Sequence, residues 1–186
     1  MHSPPSIILI GMKSSGKTSV GKIVARKLGI RFTDVDAEIE RRYLEQTGEK
    51  LPFREIFRRH GKAHFRTLET AALQGLSDVQ TRWPFVLATG GGLPLTEENR
   101  PLLKSMGMVV FLDVAPQFLL PRIIRGGIPP FFPYPEDPAR SLKELLEERR
   151  PIYQALAHLT LPCRKELPET IANTLIRRIE NAPHED

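Results

Sequence analysis

The octet Gly11-Met12-Lys13-Ser14-Ser15-Gly16-Lys17-Thr18 fits the pattern G-x-x-x-x-G-K-[ST] and stands between two segments of opposite character. Before it, Ser6 to Ile10 is a short apolar run, the pattern of a strand buried on both faces. After it, Lys17 to Leu28 carries Val20, Ile23, Val24 and Leu28 on one helical stripe. A buried strand that turns through glycine into a helix aims backbone N–H groups and the positive helix end at one point, where phosphate is held. In such a loop Gly11 through Thr18 wrap the phosphates of a nucleotide, Lys17 reaches the β- and γ-phosphates, and the Thr18 hydroxyl serves Mg²⁺. The motif alone leaves open a small-molecule kinase, a GTPase, a motor or a nucleic-acid ATPase.

The rest of the chain repeats the strand-then-helix alternation. Ile30 to Asp34, Phe85 to Thr89, Met108 to Leu112 and Leu159 to Leu161 read as further short strands. Helical patterns run from Asp36, as N-cap, to about Tyr43, from Pro52 to His60, where Gly61 ends the helix, and from Lys62 to Leu76. Others follow from Thr96, as cap, to Lys104, from Pro116 to Arg125, from Ser141 to Ala157 and from Glu169 to Ile179. The expected fold is therefore an α/β three-layer sandwich around a five-stranded parallel sheet. A Gly- and Pro-rich stretch, Gly126 to Pro138, reads as a lid, whose Phe131, Phe132 and Tyr134 either cover a ligand or close on the core.

At 186 residues the chain fits one domain, 1–186, with about 36–76 as a helical acceptor-binding region. Its net charge of +5 comes from basic residues interspersed with acids on helices, which disfavours nucleic acid as the partner. No apolar run is long enough for a signal sequence or membrane span, so a cytoplasmic monomer acting on a small molecule is expected, with no membrane partner. The single Cys163 excludes an internal disulfide and reads as a buried, inert thiol; Asn181 to Asp186 are expected to fray. His60 and His64 share metal-ligand spacing without a third ligand and read as exposed helix residues, and Trp83 reads as packing ahead of its strand.

Three features mark a second substrate. Asp34 and Asp36, two apart at a strand end, point to one side while the chain stays extended, one suited to Mg²⁺ and the other to a substrate hydroxyl. The other reading makes Asp36 an N-cap and Asp34 a solvated strand end. Arg66 and Glu69 share a helical face, either as a surface ion pair or as a guanidinium oriented to grip a carboxylate. Gly90-Gly91-Gly92 after a buried strand lets a ligand approach the backbone.

Taken in order, this P-loop, Phe32-x-Asp34-x-Asp36-x-x-Ile39-Glu40, Phe65-Arg66-x-x-Glu69, the triple glycine and Glu148-Arg149-Arg150-Pro151-Ile152-Tyr153 resemble the shikimate kinase family over about residues 7–175. The resemblance implies a P-loop NTPase fold like that of nucleoside monophosphate kinases, and transfer of the γ-phosphoryl of ATP to the 3-hydroxyl of shikimate. It implies that Lys17 binds phosphates, Thr18 and Asp34 serve Mg²⁺, and Asp36 binds substrate hydroxyls and takes the proton. Arg66 and Arg149 would hold the carboxylate, Gly90, Gly91 and Gly92 line the pocket, and Pro168 packs on adenine.

The chain departs from that pattern in the lid. The family carries an Arg-Pro pair there, whereas Pro129 stands at the arginine position and no Lys or Arg occurs from Gly126 through Ala139. Arg122, Arg125 and Arg140, at the lid hinges, are the replacements the sequence offers. Two further readings follow: a family member that binds but turns over poorly, and a kinase of another hydroxy acid such as gluconate.

Overall fold

The computed structural model describes residues 4–80 and 83–181; from residue 182 on, the tail expected to fray lies outside them. Strands β1 (Ile7–Ile10), β2 (Arg31–Asp34), β3 (Phe85–Ala88), β4 (Met108–Val114) and β5 (Leu159–Cys163) form one parallel sheet in the order β2-β3-β1-β4-β5. All four residues of the central β1 are fully buried, as its unbroken apolar run requires. Each contributes about 1.5–3 kcal/mol of burial. Helices α1 (Lys17–Leu28), α2 (Val35–Thr47), α3 (Phe53–Gln80), α4 (Asn99–Met106), α5 (Pro116–Arg125), α6 (Pro138–Leu156) and α7 (Pro168–Glu180) complete the three-layer α/β sandwich. Because the strands are parallel, the loops after β1, β2 and β3 open on one edge, where such sheets bind ligands. Among the described residues no helix is long and apolar enough to cross a membrane.

Local chemistry sets the element ends. Helix α1 starts directly from Gly16 (φ 96°) with no side-chain cap and no acidic residue in its first turn, so its orphan N–H groups and positive end remain for an anion. Helix α2 is capped by Asp34, not by Asp36 as the sequence indicated: the Asp34 Oδ1 accepts from the Asp36 N–H at 3.0 Å. It runs on past Tyr43 to Thr47, because Gly48 (φ 73°) is the residue there suited to the left-handed cap. Gly61 (φ 78°, ψ 175°) breaks α3 into the two helices read from the sequence.

Other expectations are corrected. Thr96 does not cap a helix: Leu93–Leu95 form a 3-10 turn that ends at Thr96, and α4 begins at Asn99. Trp83 is 71% exposed and does not pack ahead of β3. His60 and His64 are exposed, as expected, with His60 Nε2 3.0 Å from the Tyr43 hydroxyl. Cys163 is buried, and burial pushes its thiol up to about 11, the inert thiol of the sequence reading.

Candidate active site

The phosphate loop joins β1 to α1. Gly11 (φ 141°), Ser14 (φ 64°) and Gly16 all take left-handed backbone, and Ser14 is the one non-glycine residue with positive φ among those described. That strain curls the loop around Lys17, whose Nζ donates to Gly11 O at 2.9 Å and Met12 O at 2.8 Å. Burial brings the Lys17 amine down to about 8, against the pull of Asp36 and Asp34.

Two carboxylates stand opposite the loop. The Thr18 hydroxyl donates to Asp34 Oδ2 at 2.7 Å, so the cap of α2 and the first turn of α1 share one oxygen cluster. This pair of hard oxygen donors fits Mg²⁺, which takes few protein ligands and completes its shell with phosphate and water. Asp36 lies one helical step further in. Burial, then the Asp34 charge, raises its carboxyl to about 6, with Lys17 and Lys13 opposing.

A cavity of about 100 Å³ extends from these groups toward the α3–α6 side, and it gathers most of the sequence-selected residues. It is lined by Lys13, Lys17, Thr18, Asp34 and Asp36 together with Arg66, Glu69, Arg149 and Gly90 to Gly92. Arg66 Nη1 donates to Glu69 Oε2, and Glu69 is 1% exposed, so this is a buried pair oriented into the site and not a surface one. Burial lifts the Glu69 carboxyl to about 7 although Arg66 opposes it.

The glycines are needed for the protein's own packing as well as for any ligand. A Cβ on Gly90 would stand 2.9 Å from both Asp36 Oδ1 and Glu69 Oε1, and one on Gly92 would overlap the Arg66 guanidinium. The Tyr153 hydroxyl donates to Gly91 O from the far side and so fixes the triplet.

Arg149 is 4% exposed, and its Nε has no hydrogen-bond partner. Its guanidinium lies 5.1 Å from the centre of the Phe131 ring, and among the described residues no carboxylate pairs with it. A buried cation in that condition is costly unless an anion meets it.

The lid divides its aromatics. Phe132 is 4% exposed and belongs to the core, whereas Pro130 and Phe131 roof the cavity. Pro129, at the position the resemblance gives to the lid arginine, is buried and is not among the residues that line the cavity. Of the three hinge arginines, Arg140 pairs with Glu144 at 3.1 Å and stacks 3.9 Å over Tyr134. Arg122, Arg125 and Arg140 are all absent from the cavity wall, and so is Pro168, the first residue of α7.

Phe53, Arg54 and Phe57 line the same cavity and were not selected from sequence. A signal was available for Arg54: an arginine in the first turn of a helix works against the helix dipole and so calls for another explanation.

The comparisons with known proteins agree with this geometry. The family model described as shikimate kinase matches residues 13–180. A shikimate kinase from a Synechococcus species is 42% identical over 172 residues, which are 92% of this chain and 81% of that one. Another, from Alkaliphilus oremlandii, is 36% identical over 94% of this chain and 98% of its own. The solved structure of shikimate kinase from Acinetobacter baumannii in complex with shikimate superposes with a TM-score of 0.86 at 35% identity, covering 98% of this chain and 97% of that one. A gluconokinase from Sinorhizobium meliloti, at 21% identity and a TM-score of 0.55 over 97% of each chain, shares the fold alone. With the P-loop, the paired aspartates, the Arg66–Glu69 pair and the buried Arg149 on one cavity, and with relatives alike over nearly their whole length, the chain belongs to the shikimate kinase family.

Proposed function

We propose that this chain transfers the γ-phosphoryl group of ATP to the 3-hydroxyl of shikimate, giving shikimate 3-phosphate and ADP. The observation that carries the reading is Arg149, a buried guanidinium without a carboxylate partner, in the cavity that also holds Asp36. A small polyhydroxy acid satisfies both: its carboxylate meets Arg149 and Arg66, and its hydroxyls meet Asp36. Such a site rejects analogues lacking a hydroxyl, because its own buried polar groups would be left unpaired.

In this reading the loop Gly11 to Thr18 holds the triphosphate by backbone N–H groups, and Lys17 turns from the loop carbonyls to the β- and γ-phosphates. Thr18 and Asp34 hold Mg²⁺, which when bound neutralises phosphate charge. Asp36 accepts a hydrogen bond from the acceptor hydroxyl and takes its proton as the new O–P bond forms and the bond to the ADP oxygen breaks. A carboxyl near 6 is ionised at neutral pH yet basic enough to accept that proton. Gly90 to Gly92 line the pocket, and the helical region at 36–76 with the lid at 126–138 encloses the acceptor. Pro168, with the exposed Leu167 before it, supplies the apolar contact for adenine.

The test measures ADP formation from Mg-ATP with and without shikimate, alongside calorimetric binding of shikimate. Turnover that depends on shikimate is the expected result. Binding without turnover would replace the proposal with a binding protein of the same family, and neither would redirect it to other hydroxy acids such as gluconate.

Arg66 gives a narrower prediction. Truncating it to alanine removes a substrate contact and leaves the Glu69 carboxyl buried without its partner, a change that costs about 2–5 kcal/mol. The expected outcome is a shikimate KM raised by about 30-fold or more with little change in the KM for ATP. Ordinary kinetics with shikimate in this variant would sink the proposed pocket.

A further inference from the structure

The roof of the site carries no positive charge. From Gly126 through Ala139 there is no Lys or Arg, Pro130 and Phe131 form the cover, and Arg140 is held by Glu144 and Tyr134. Phosphoryl transfer spreads negative charge over the equatorial oxygens of the moving group, and positive charge placed there is among the largest contributions to the rate. A cation must reach that place from elsewhere in the fold.

Arg54 is so placed. It projects from the first turn of α3 into the cavity shared by Lys13, Lys17, Thr18, Asp34 and Asp36. Its Nη1 donates to the carbonyl of Gly126 at 2.7 Å, at the residue where the lid begins. Gly127 continues the contact: a Cβ there would lie 3.5 Å from Nη1. Among the described residues no carboxylate pairs with Arg54, whereas Arg41 and Arg42 of α2 and Arg58, Arg59 and Arg66 of α3 all have one.

The placement is electrostatically adverse without an anion. Positive charge in a first helical turn faces the positive end of the helix dipole, and burial followed by the Arg54 charge holds the Lys13 amine below its ordinary value. Two unpaired cations and the α1 N-terminus facing one cavity make a site for several negative charges, as a triphosphate supplies.

We propose that Arg54 is the cation that covers the γ-phosphoryl group during transfer, taking from helix α3 the part that the lid of this chain leaves unfilled. Its bond to Gly126 ties the guanidinium to the lid hinge, so lid descent and arrival of the charge are one movement. The inference rests on the proposed shikimate kinase activity and deepens it.

The test compares wild type, Arg54→Ala and Arg54→Lys in steady-state kinetics, in thermal unfolding, and in calorimetric binding of Mg-ATP and Mg-ADP. Arg54→Ala is expected to lower kcat about 10²- to 10³-fold, with the shikimate KM within about threefold of wild type. Arg54→Lys is expected to recover part of the rate, and the Tm of Arg54→Ala to stay level or rise. A kcat within about threefold of wild type, a loss confined to the shikimate KM, or a clear fall in Tm would overturn the assignment. If wild type itself fails to turn over shikimate, the functional reading fails separately, and Arg54 is judged on nucleotide alone. Loss of the wild-type preference for Mg-ATP over Mg-ADP in Arg54→Ala would then support the assignment, and an unchanged preference would overturn it.

Discussion

Replacing Lys17 with alanine is expected to lower kcat about 10²- to 10³-fold or more, because its amine is the cation that the phosphate loop wraps and holds by its own carbonyls. Its two bonds to Gly11 and Met12 carbonyls are ones that water or a shifted loop can replace, but its contact with the β- and γ-phosphates grows as charge moves toward the leaving oxygen. Burial already holds the amine at about 8, so at neutral pH it is charged but weakly stabilised, ready to gain from an anion. The fold should tolerate the change: removing a buried cation relieves a desolvation cost. Rapid-quench and steady-state rates together with a thermal melt decide the matter. A variant that melts as wild type does and retains more than about a tenth of its rate would show that Lys13 and Arg54 already supply the charge assigned to Lys17.

The parts of this design that were legible in the sequence are those whose chemistry is local. The P-loop is a run of eight residues, the β1 strand an unbroken apolar run, and the break in α3 a single glycine, so each could be read where it stands. Asp34 and Asp36 were legible as a pair but not in their backbone roles. Which one caps α2 depends on where the strand stops and the helix begins, and that is fixed by the pairing of Asp34 with Ala88 in β3. Trp83 looked like core material because it is large and apolar, yet nothing in its neighbourhood along the chain says that its side chain faces solvent. The lid divided along the same line: Phe131 and Phe132 are adjacent and chemically alike, and only the packed structure sends one to the roof and the other to the core. The tie of Arg54 to the lid was hidden for the plainest reason, since its partner Gly126 lies 72 residues away.

Asp36→Asn is expected to be the most revealing change, because it should move activity and stability in opposite directions. Loss of the base that takes the acceptor proton should lower kcat about 10²- to 10⁴-fold. The stability sign follows from the raised carboxyl. Its folded-state value is about 6 against an ordinary 3.8, so the fold favours the protonated form. That favourable contribution is complete below the ordinary value and is lost as pH rises through about 6, leaving a buried negative charge beside Asp34. At pH 7.5 the asparagine variant avoids this charge and should melt higher than wild type, at about 2–4 °C for each kcal/mol relieved. At pH 5, where Asp36 of the wild type is mostly protonated, the difference should shrink. In wild type, kcat/KM should fall on the acid side as Asp36 and Glu69 protonate, in the range from about 6 to about 7. Melts of both proteins from pH 5 to 8, run beside their rates, separate a strained catalytic carboxylate from a structural one. A variant that loses activity and melts lower at every pH would show that Asp36 holds the fold together, and the proton would then have to be assigned elsewhere.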